Sequence, residues 1–432
     1  MNLLLLFMDS NLPSLDQSLI WHPYTQEKNA PENVFIVKGE GAYLIDNAGN
    51  RYFDATSSWW TNIHGHAHPF IAQKLFEQAS TLEHVIFAGN THEPAIRLAE
   101  QLKTYLPNKQ QKFFFSDNGS TAVEAALKMA FQYWFNKNEH RTKVLAFEGA
   151  YHGDTFGSMS VSARGLFTNP FKPLLFDILT IPVPNENNIS DLLALVDQLI
   201  QEHAIASFIY EPLVQGANGM VIYDAAHLDL ILQQLKSANI LLIADEVMTG
   251  FGRTGKMFAS EYMRTEPDIM CFSKGLTAGA MPMGLTSCAQ SIYDAFYDDN
   301  KEKTFFHGHS FTGNPLGCAV AVASLAIFKS EKTLDNVARI TAWNKKAASL
   351  LQQHDAFENI ATLGTVLRFD IKTNETTSYL NEVKLKCMAF FKARNILIRP
   401  LGNVLYFLPP YCTTDVELDH LLQTALDFGD SL

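Results

Sequence analysis

The chain has 432 residues, several times a typical domain length, so two or three lobes, or one large α/β body with a smaller companion, are expected. Hydrophobic residues make up 47% and charged residues 18%, with 31 Phe, which excludes a disordered chain, and a net charge of −12 without any basic cluster argues against a nucleic-acid partner. Five cysteines (Cys271, Cys288, Cys318, Cys387, Cys412) are an odd number without a CxxC pair, which predicts reduced, buried thiols in a cytoplasmic protein, with no disulfide framework and no zinc site.

The apolar opening, Met1 to Met8, has neither a basic flank nor a small-residue cleavage site, and it is too short to span a bilayer. It reads as a frayed end, or as a start placed ahead of a true beginning at Met8. Val34 to Val37 and Ala42 to Ile45 read as short strands. Lys112 to Ser116 reads as a buried strand, followed by a helix over Thr121 to Phe135 with Val123, Leu127, Ala130, Phe131 and Trp134 on its apolar positions. Val144 to Phe147, Ser207 to Tyr210, Ile240 to Ala244 and Ile269 to Phe272 are further short apolar runs, and Leu228, Ile231, Leu232 and Leu235 mark a helix between two of them.

This alternation predicts an α/β fold with a large, mostly parallel sheet, in which ligands bind beyond the carboxyl ends of the strands. Downstream, Pro315 to Phe328 is apolar, and Val337, Ile340, Trp343, Ala347 and Leu350 describe a long amphipathic helix. Asn395 to Arg399 and Val404 to Leu408 read as two strands of a hairpin turning at Gly402-Asn403. The expected division is an N-terminal segment, 1–56, packing with the small domain, a large domain, 57–330, and a smaller α+β domain, 331–432.

Unusual polar residues stand at the strand ends: Ser116-Asp-Asn-Gly-Ser120, Tyr151-His-Gly, Glu211, Asp245-Glu246 and Ser273-Lys274. A strand-end lysine alone more often reaches out to solvent. Asp245, however, ends the strand one crossover unit upstream of Lys274, so both side chains should reach one crevice. Pyridoxal phosphate needs that pair: a lysine to bond its carbonyl carbon, and a carboxylate to keep its ring nitrogen protonated so the ring can take up electrons. Asn118-Gly119-Ser120-Thr121, a turn opening a helix, offers amides and hydroxyls to the phosphate, although an ordinary N-cap would look the same. Tyr151 could stack on the ring. Trp59-Trp60 could wall an aromatic groove and Arg399 could end one as a fixed cation, although core packing and a surface hairpin arginine would look the same. His64, His66 and His68 alternate, but no carboxylate or thiol accompanies them closely, and no metal is expected.

The runs Ser116-Asp-Asn-Gly-Ser-Thr-Ala-Val-Glu-Ala-Ala-Leu-Lys, Tyr151-His-Gly-Asp-Thr, Asp245-Glu-Val-Met-Thr-Gly-Phe-Gly-Arg-Thr-Gly, Phe272-Ser-Lys-Gly and Gly313-Asn-Pro-Leu resemble the class III pyridoxal-phosphate aminotransferases. The resemblance implies the fold type I transferase architecture and a homodimer with shared active sites. Trp21-His-Pro-Tyr-Thr-Gln, Ser57-Ser-Trp-Trp and Ile398-Arg-Pro-Leu-Gly-Asn, followed by Tyr406, are similar to members that aminate 8-amino-7-oxononanoate to 7,8-diaminononanoate in biotin synthesis, by ping-pong exchange with S-adenosylmethionine as donor, or lysine in some.

By that resemblance Lys274 bonds the cofactor, Asp245 meets its ring nitrogen, Gly119 and Ser120 hold its phosphate and Tyr151 stacks on its ring. Tyr24, counted with the catalytic residues, would wall the substrate cleft with Trp59 and Trp60; Asp154, Arg253, Gly308 and Tyr406 would border it, and Arg399 would take the substrate carboxylate. Where many relatives have Gly-Pro-Thr this chain has Gly308-His309-Ser310, and Ser310 keeps a hydroxyl for the neighbouring subunit's phosphate. The competing readings are another class III aminotransferase acting on an ω-amine or diamine, an aminomutase, and a non-catalytic binding protein on the same fold.

Overall fold

A computed structural model describes residues 12–374 and 377–432; the apolar opening at Met1 to Met8 lies outside them. Seven strands form the central sheet in the spatial order Gln110–Ser116, Gly284–Ala289, Ile269–Phe272, Leu241–Asp245, Ile205–Tyr210, Lys143–Phe147 and Leu179–Ile181. Six run in one direction and Gly284–Ala289 runs against both of its neighbours. The central parallel strands Leu241–Asp245, Ile269–Phe272, Ile205–Tyr210 and Lys143–Phe147 are mostly apolar because both faces are covered. Leu241 and Ile243 point to the face packed by the helix Gly119–Asn136, where Trp134 is sealed and donates its indole N–H to the Ala206 carbonyl at 2.8 Å. Leu242 and Ala244 point to the other face, with Leu228, Ile231, Leu232 and Leu235 of the helix Ala225–Ser237.

The antiparallel strand is absent from the sequence-based expectation, and its composition explains why. Gly284-Leu-Thr-Ser-Cys-Ala289 lacks an apolar run; Thr286 and Ser287 satisfy their hydroxyls on the Ala122 carbonyl and on Gln110 Oε1, each at 2.7 Å. At Gly284 a Cβ would lie 2.1 Å from the Asn118 carbonyl oxygen, so close strand-to-helix approach sets the residue choice there, not strand propensity.

A second difference concerns the expected hairpin. Ile396–Leu397 pairs in parallel with Arg51–Asp54 in a four-stranded N-terminal sheet, whereas Val404–Phe407 joins Phe357–Leu363 and Val366–Ile371 in a three-stranded sheet. The two segments therefore belong to different sheets. Pro400 has no N–H to continue a ladder, and the turn closes locally through a Leu401–Val404 bridge with Gly402 at φ +68°. Arg399 sits where the chain crosses from one sheet to the other, beside the carboxyl ends of the central strands. No helix among the described residues is long and apolar enough to cross a membrane.

Candidate active site

Beyond those strand ends lies a cavity of about 280 Å3, near the lower end of the ~300–1,000 Å3 usual for small-molecule sites. Lys274 enters it from the turn after Ile269–Phe272, in the left-handed region at φ +42°, with Ser273 Oγ fastened to the Met283 carbonyl at 2.7 Å. Its Nζ lies 4.6 Å from the ring centre of Trp60. Burial lowers the Lys274 pKa to about 8, against the raising influence of Asp245 and Glu211. Asp245 accepts the Val247 amide at 3.1 Å and the Nδ1–H of His152 at 2.7 Å. His152 Nε2 is buried, without a partner among the described residues.

Glu211, at the end of Ile205–Tyr210, accepts the amides of Tyr151 (3.0 Å) and Gly216 (2.9 Å). Burial, helped by Asp245 against the opposing His152, pushes its pKa up to about 7.

At the far end Asn118 caps the helix Gly119–Asn136, its Oδ1 accepting the Thr121 amide at 3.0 Å and its own amide donating in return to the Thr121 hydroxyl. The capping reading of this turn is therefore correct, yet it leaves the first-turn amides of Gly119 and Ser120 without intrahelical acceptors, facing the cavity. Two glycines keep this end open: a Cβ at Gly153, whose φ is +126°, would stand 2.1 Å from Ser120 Oγ, and one at Gly119 would stand 2.8 Å from Val247 Cγ1. A helix terminus for a phosphate, a buried carboxylate for a ring nitrogen, a lysine of lowered pKa and an orphaned imidazole nitrogen behind the carboxylate together fit pyridoxal phosphate.

An aromatic arc borders the cavity. Tyr24 donates to Asp154 and lies 3.1 Å from the Tyr151 hydroxyl; burial and Asp154 raise its pKa to about 12. The Tyr24 ring packs edge-on against Trp59 (5.3 Å) and Phe167 (5.8 Å), and Phe167 against Tyr379 (5.1 Å). The Arg399 guanidinium carbon lies 4.6 Å from the ring centre of Trp59.

Lys274, Asp245, Gly119, Ser120, Tyr151 and Trp60 thus share one cavity; Tyr24, bonded to Asp154, reaches it through the Tyr151 hydroxyl, and Trp59 and then Arg399 follow in contact beyond Tyr24. Two of the expected residues stand behind Trp60: Tyr406, which receives the Trp60 indole N–H at 2.9 Å, and Arg253, buried and donating to the carbonyls of Trp60 and Pro409 at 3.1 Å each. Gly308 and Ser310 lie outside this cavity, on an exposed segment. His64, His66 and His68 diverge to Ser324, Asp54 and Glu331, and Cys412 is exposed, unlike the other four cysteines. Glu211 and His152 stood at strand ends in the sequence with no role attached. Phe167 and Tyr379 carried no signal there, since nothing in a single sequence brings those two loops together.

The family model for aminotransferase class-III matches residues 24–427. The chain belongs to the class-III aminotransferases. This class III chain is 45% identical over 421 residues to a protein of Synechococcus elongatus named adenosylmethionine-8-amino-7-oxononanoate aminotransferase, with 96% of this chain and 99% of that one covered. A Helicobacter pylori protein of the same name is 38% identical, with 98% of each chain covered. Among solved structures, the adenosylmethionine-8-amino-7-oxononanoate aminotransferase of Methanocaldococcus jannaschii superposes with a TM-score of 0.93 at 34% identity, over 98% of this chain and 99% of that one. The class-III aminotransferases use pyridoxal phosphate, in agreement with the donor set.

Two outcomes follow from this geometry. Gly153→Ala adds a methyl group into Ser120 at a left-handed position, a strain of about 1–3 kcal/mol, so titration of the apoprotein with pyridoxal phosphate should show affinity reduced about tenfold. The Lys274 amine is the free base above its own pKa, so the rate of cofactor uptake by apoprotein should rise with pH through a midpoint near 8; a midpoint near 10.5, the ordinary lysine value, would show that burial does not act on the amine.

Proposed function

We propose that this aminotransferase moves an amino group from S-adenosylmethionine to 8-amino-7-oxononanoate, giving 7,8-diaminononanoate for biotin synthesis. The observation that carries the reading is the continuity of the wall: the Arg399 guanidinium lies over Trp59, Trp59 meets Tyr24, and the Tyr24 hydroxyl reaches Tyr151 in the cavity that holds Lys274. A long apolar chain with a terminal carboxylate matches that order. Its carboxylate goes to Arg399, its methylenes lie along the indoles, and its reacting carbon arrives at the amine. The names of the relatives support the same substrates.

Pyridoxal phosphate, when bound, supplies an electron sink for the carbon whose C–H bond breaks. Gly119 and Ser120 would hold its phosphate and Tyr151 would cover its ring. Asp245 would keep a proton on the ring nitrogen, and His152, bonded to Asp245, would keep that carboxylate in place. Lys274 Nζ, a base of pKa about 8, would take the proton from the amine-bearing carbon of the donor and, in the other half of the exchange, deliver a proton to the former carbonyl carbon of the keto acid. Tyr24, tied to Asp154, orients the substrate over Tyr151. The flat aromatic arc accepts a cationic sulfonium nucleoside by stacking and cation–π contact, which is the reason for preferring S-adenosylmethionine to lysine.

The enzyme works as a homodimer in the cytoplasm. Ser310 stands on an exposed segment flanked by Phe306 and Phe311, which are 73% and 59% exposed, a surface suited to a second copy whose phosphate site Ser310 completes.

Supplying the keto acid with each donor in turn and detecting the diamine by mass spectrometry tests the substrates; turnover with lysine but not S-adenosylmethionine would remove the donor assignment alone. Loss of one partner of a buried charge pair costs about 2–5 kcal/mol. Because Arg399 is only half-buried, Arg399→Ala should lower kcat/KM for the keto acid by about 30-fold to several hundred-fold while cofactor affinity is kept.

A further inference from the structure

The turn carrying the two tryptophans has a shape its residues do not favour. Ser57, Ser58 and Trp60 have φ of +50°, +60° and +68°, in the left-handed region that glycine enters freely and other residues do not. Ser58 combines its φ with a ψ of −86°, outside the ordinary left-handed helical well. No glycine stands between Asp54 and Thr61, so the surroundings must hold the turn.

Asp54 does the holding. Its side chain is 2% exposed. Oδ2 accepts the Ser58 amide at 2.5 Å, the Ser58 hydroxyl at 3.1 Å and His66 Nε2 at 2.8 Å, and Oδ1 accepts the Thr56 amide at 3.2 Å. His66 is fixed in its turn by a backbone bridge to Gly41, at 2.7 and 3.3 Å, and a Cβ at Gly39 would come 2.5 Å from its own Cβ. Arg253 closes the other side, on the Trp60 carbonyl.

A buried carboxylate and a strained turn each cost free energy that an apolar loop would not incur. Both tryptophans leave this turn toward the reaction: Trp60 to the Lys274 amine and Trp59 to the Arg399 guanidinium, each at 4.6 Å. Resting on the proposed roles of those two residues, we infer that Asp54 is a positioning residue: with His66 it clamps the Ser57–Trp60 turn and so sets the amine and the carboxylate-binding cation in mutual register.

Asp54→Asn keeps the side-chain shape but replaces one carboxylate oxygen with an NH2 group, which cannot accept. Adding Ser58→Gly supplies a residue that adopts the turn without a clamp. In the single variant KM for the keto acid should rise and kcat fall, each about tenfold. Affinity for pyridoxal phosphate should stay within about threefold of the parent, because Asp54 lies outside the cavity. The near-ultraviolet circular dichroism of the tryptophans should change in the apoprotein, a signal independent of turnover. Ser58→Gly should return KM and the tryptophan band most of the way to parent values.

Parent KM together with an unchanged band in Asp54→Asn would overturn the inference. So would loss of cofactor that Ser58→Gly does not restore, because Asp54 would then be an ordinary core residue. If Asp54→Asn fails to fold, His66→Phe, which removes the ring donor and keeps the bridge to Gly41, carries the same expectations. Should the parent itself not aminate the keto acid, the substrate reading fails, and the tryptophan band with its recovery by Ser58→Gly still decides the role of Asp54.

Discussion

Taking the Lys274 ammonium out of water costs free energy, and the cleft offsets that cost only in part. Asp245 and Glu211 favour the charged form, and the face of Trp60 offers it a cation–π contact, yet burial prevails and lowers the pKa to about 8. An amine so placed is a nucleophile and base at a pH where a surface lysine is neither. The neighbours are bound by the same balance. Asp245 accepts the His152 ring N–H at 2.7 Å, while burial pushes Glu211, in the same enclosure, up to about 7. Three titratable side chains thus share one enclosure at one end of one sheet.

The architecture serves that enclosure. Parallel strands deliver Glu211, Asp245 and Lys274 to a common edge, and small residues let backbone come close where side chains would fill the site. Gly153 lies against Ser120, Gly119 against Val247, and Gly284 against the Asn118 carbonyl. Both ends of the chain meet in one sheet, where Ile396–Leu397 pairs with Arg51–Asp54. Arg399 comes from the crossing between that sheet and the three-stranded one, and Trp59 from a turn that its own sequence does not favour.

The core of the central sheet was legible because its strands are short apolar runs buried on both faces, and the shared crevice of Lys274 and Asp245 was legible because one crossover unit separates them. The antiparallel strand Gly284–Ala289 was hidden by residues chosen for close packing. The false hairpin at Asn395–Leu408 followed from a Gly-Asn turn signal that is real but local: the turn forms, and the flanking segments then pair with different partners. Arg253 read as a polar group near the substrate; its burial, with both bonded nitrogens on carbonyls behind Trp60, depends on long-range packing that no local pattern encodes. Phe167 and Tyr379 meet across the mouth for the same reason. Glu211 and His152 were visible as polar residues at strand ends, but their meaning comes from sharing an enclosure with Asp245.

Borohydride reduction of the holoenzyme followed by peptide mapping shows whether Lys274 is the amine that bonds the cofactor. A stable pyridoxyl group should be found on the peptide containing Lys274 and on no other. A label on a different lysine, or a reduced protein that releases its cofactor unbonded, would contradict that assignment.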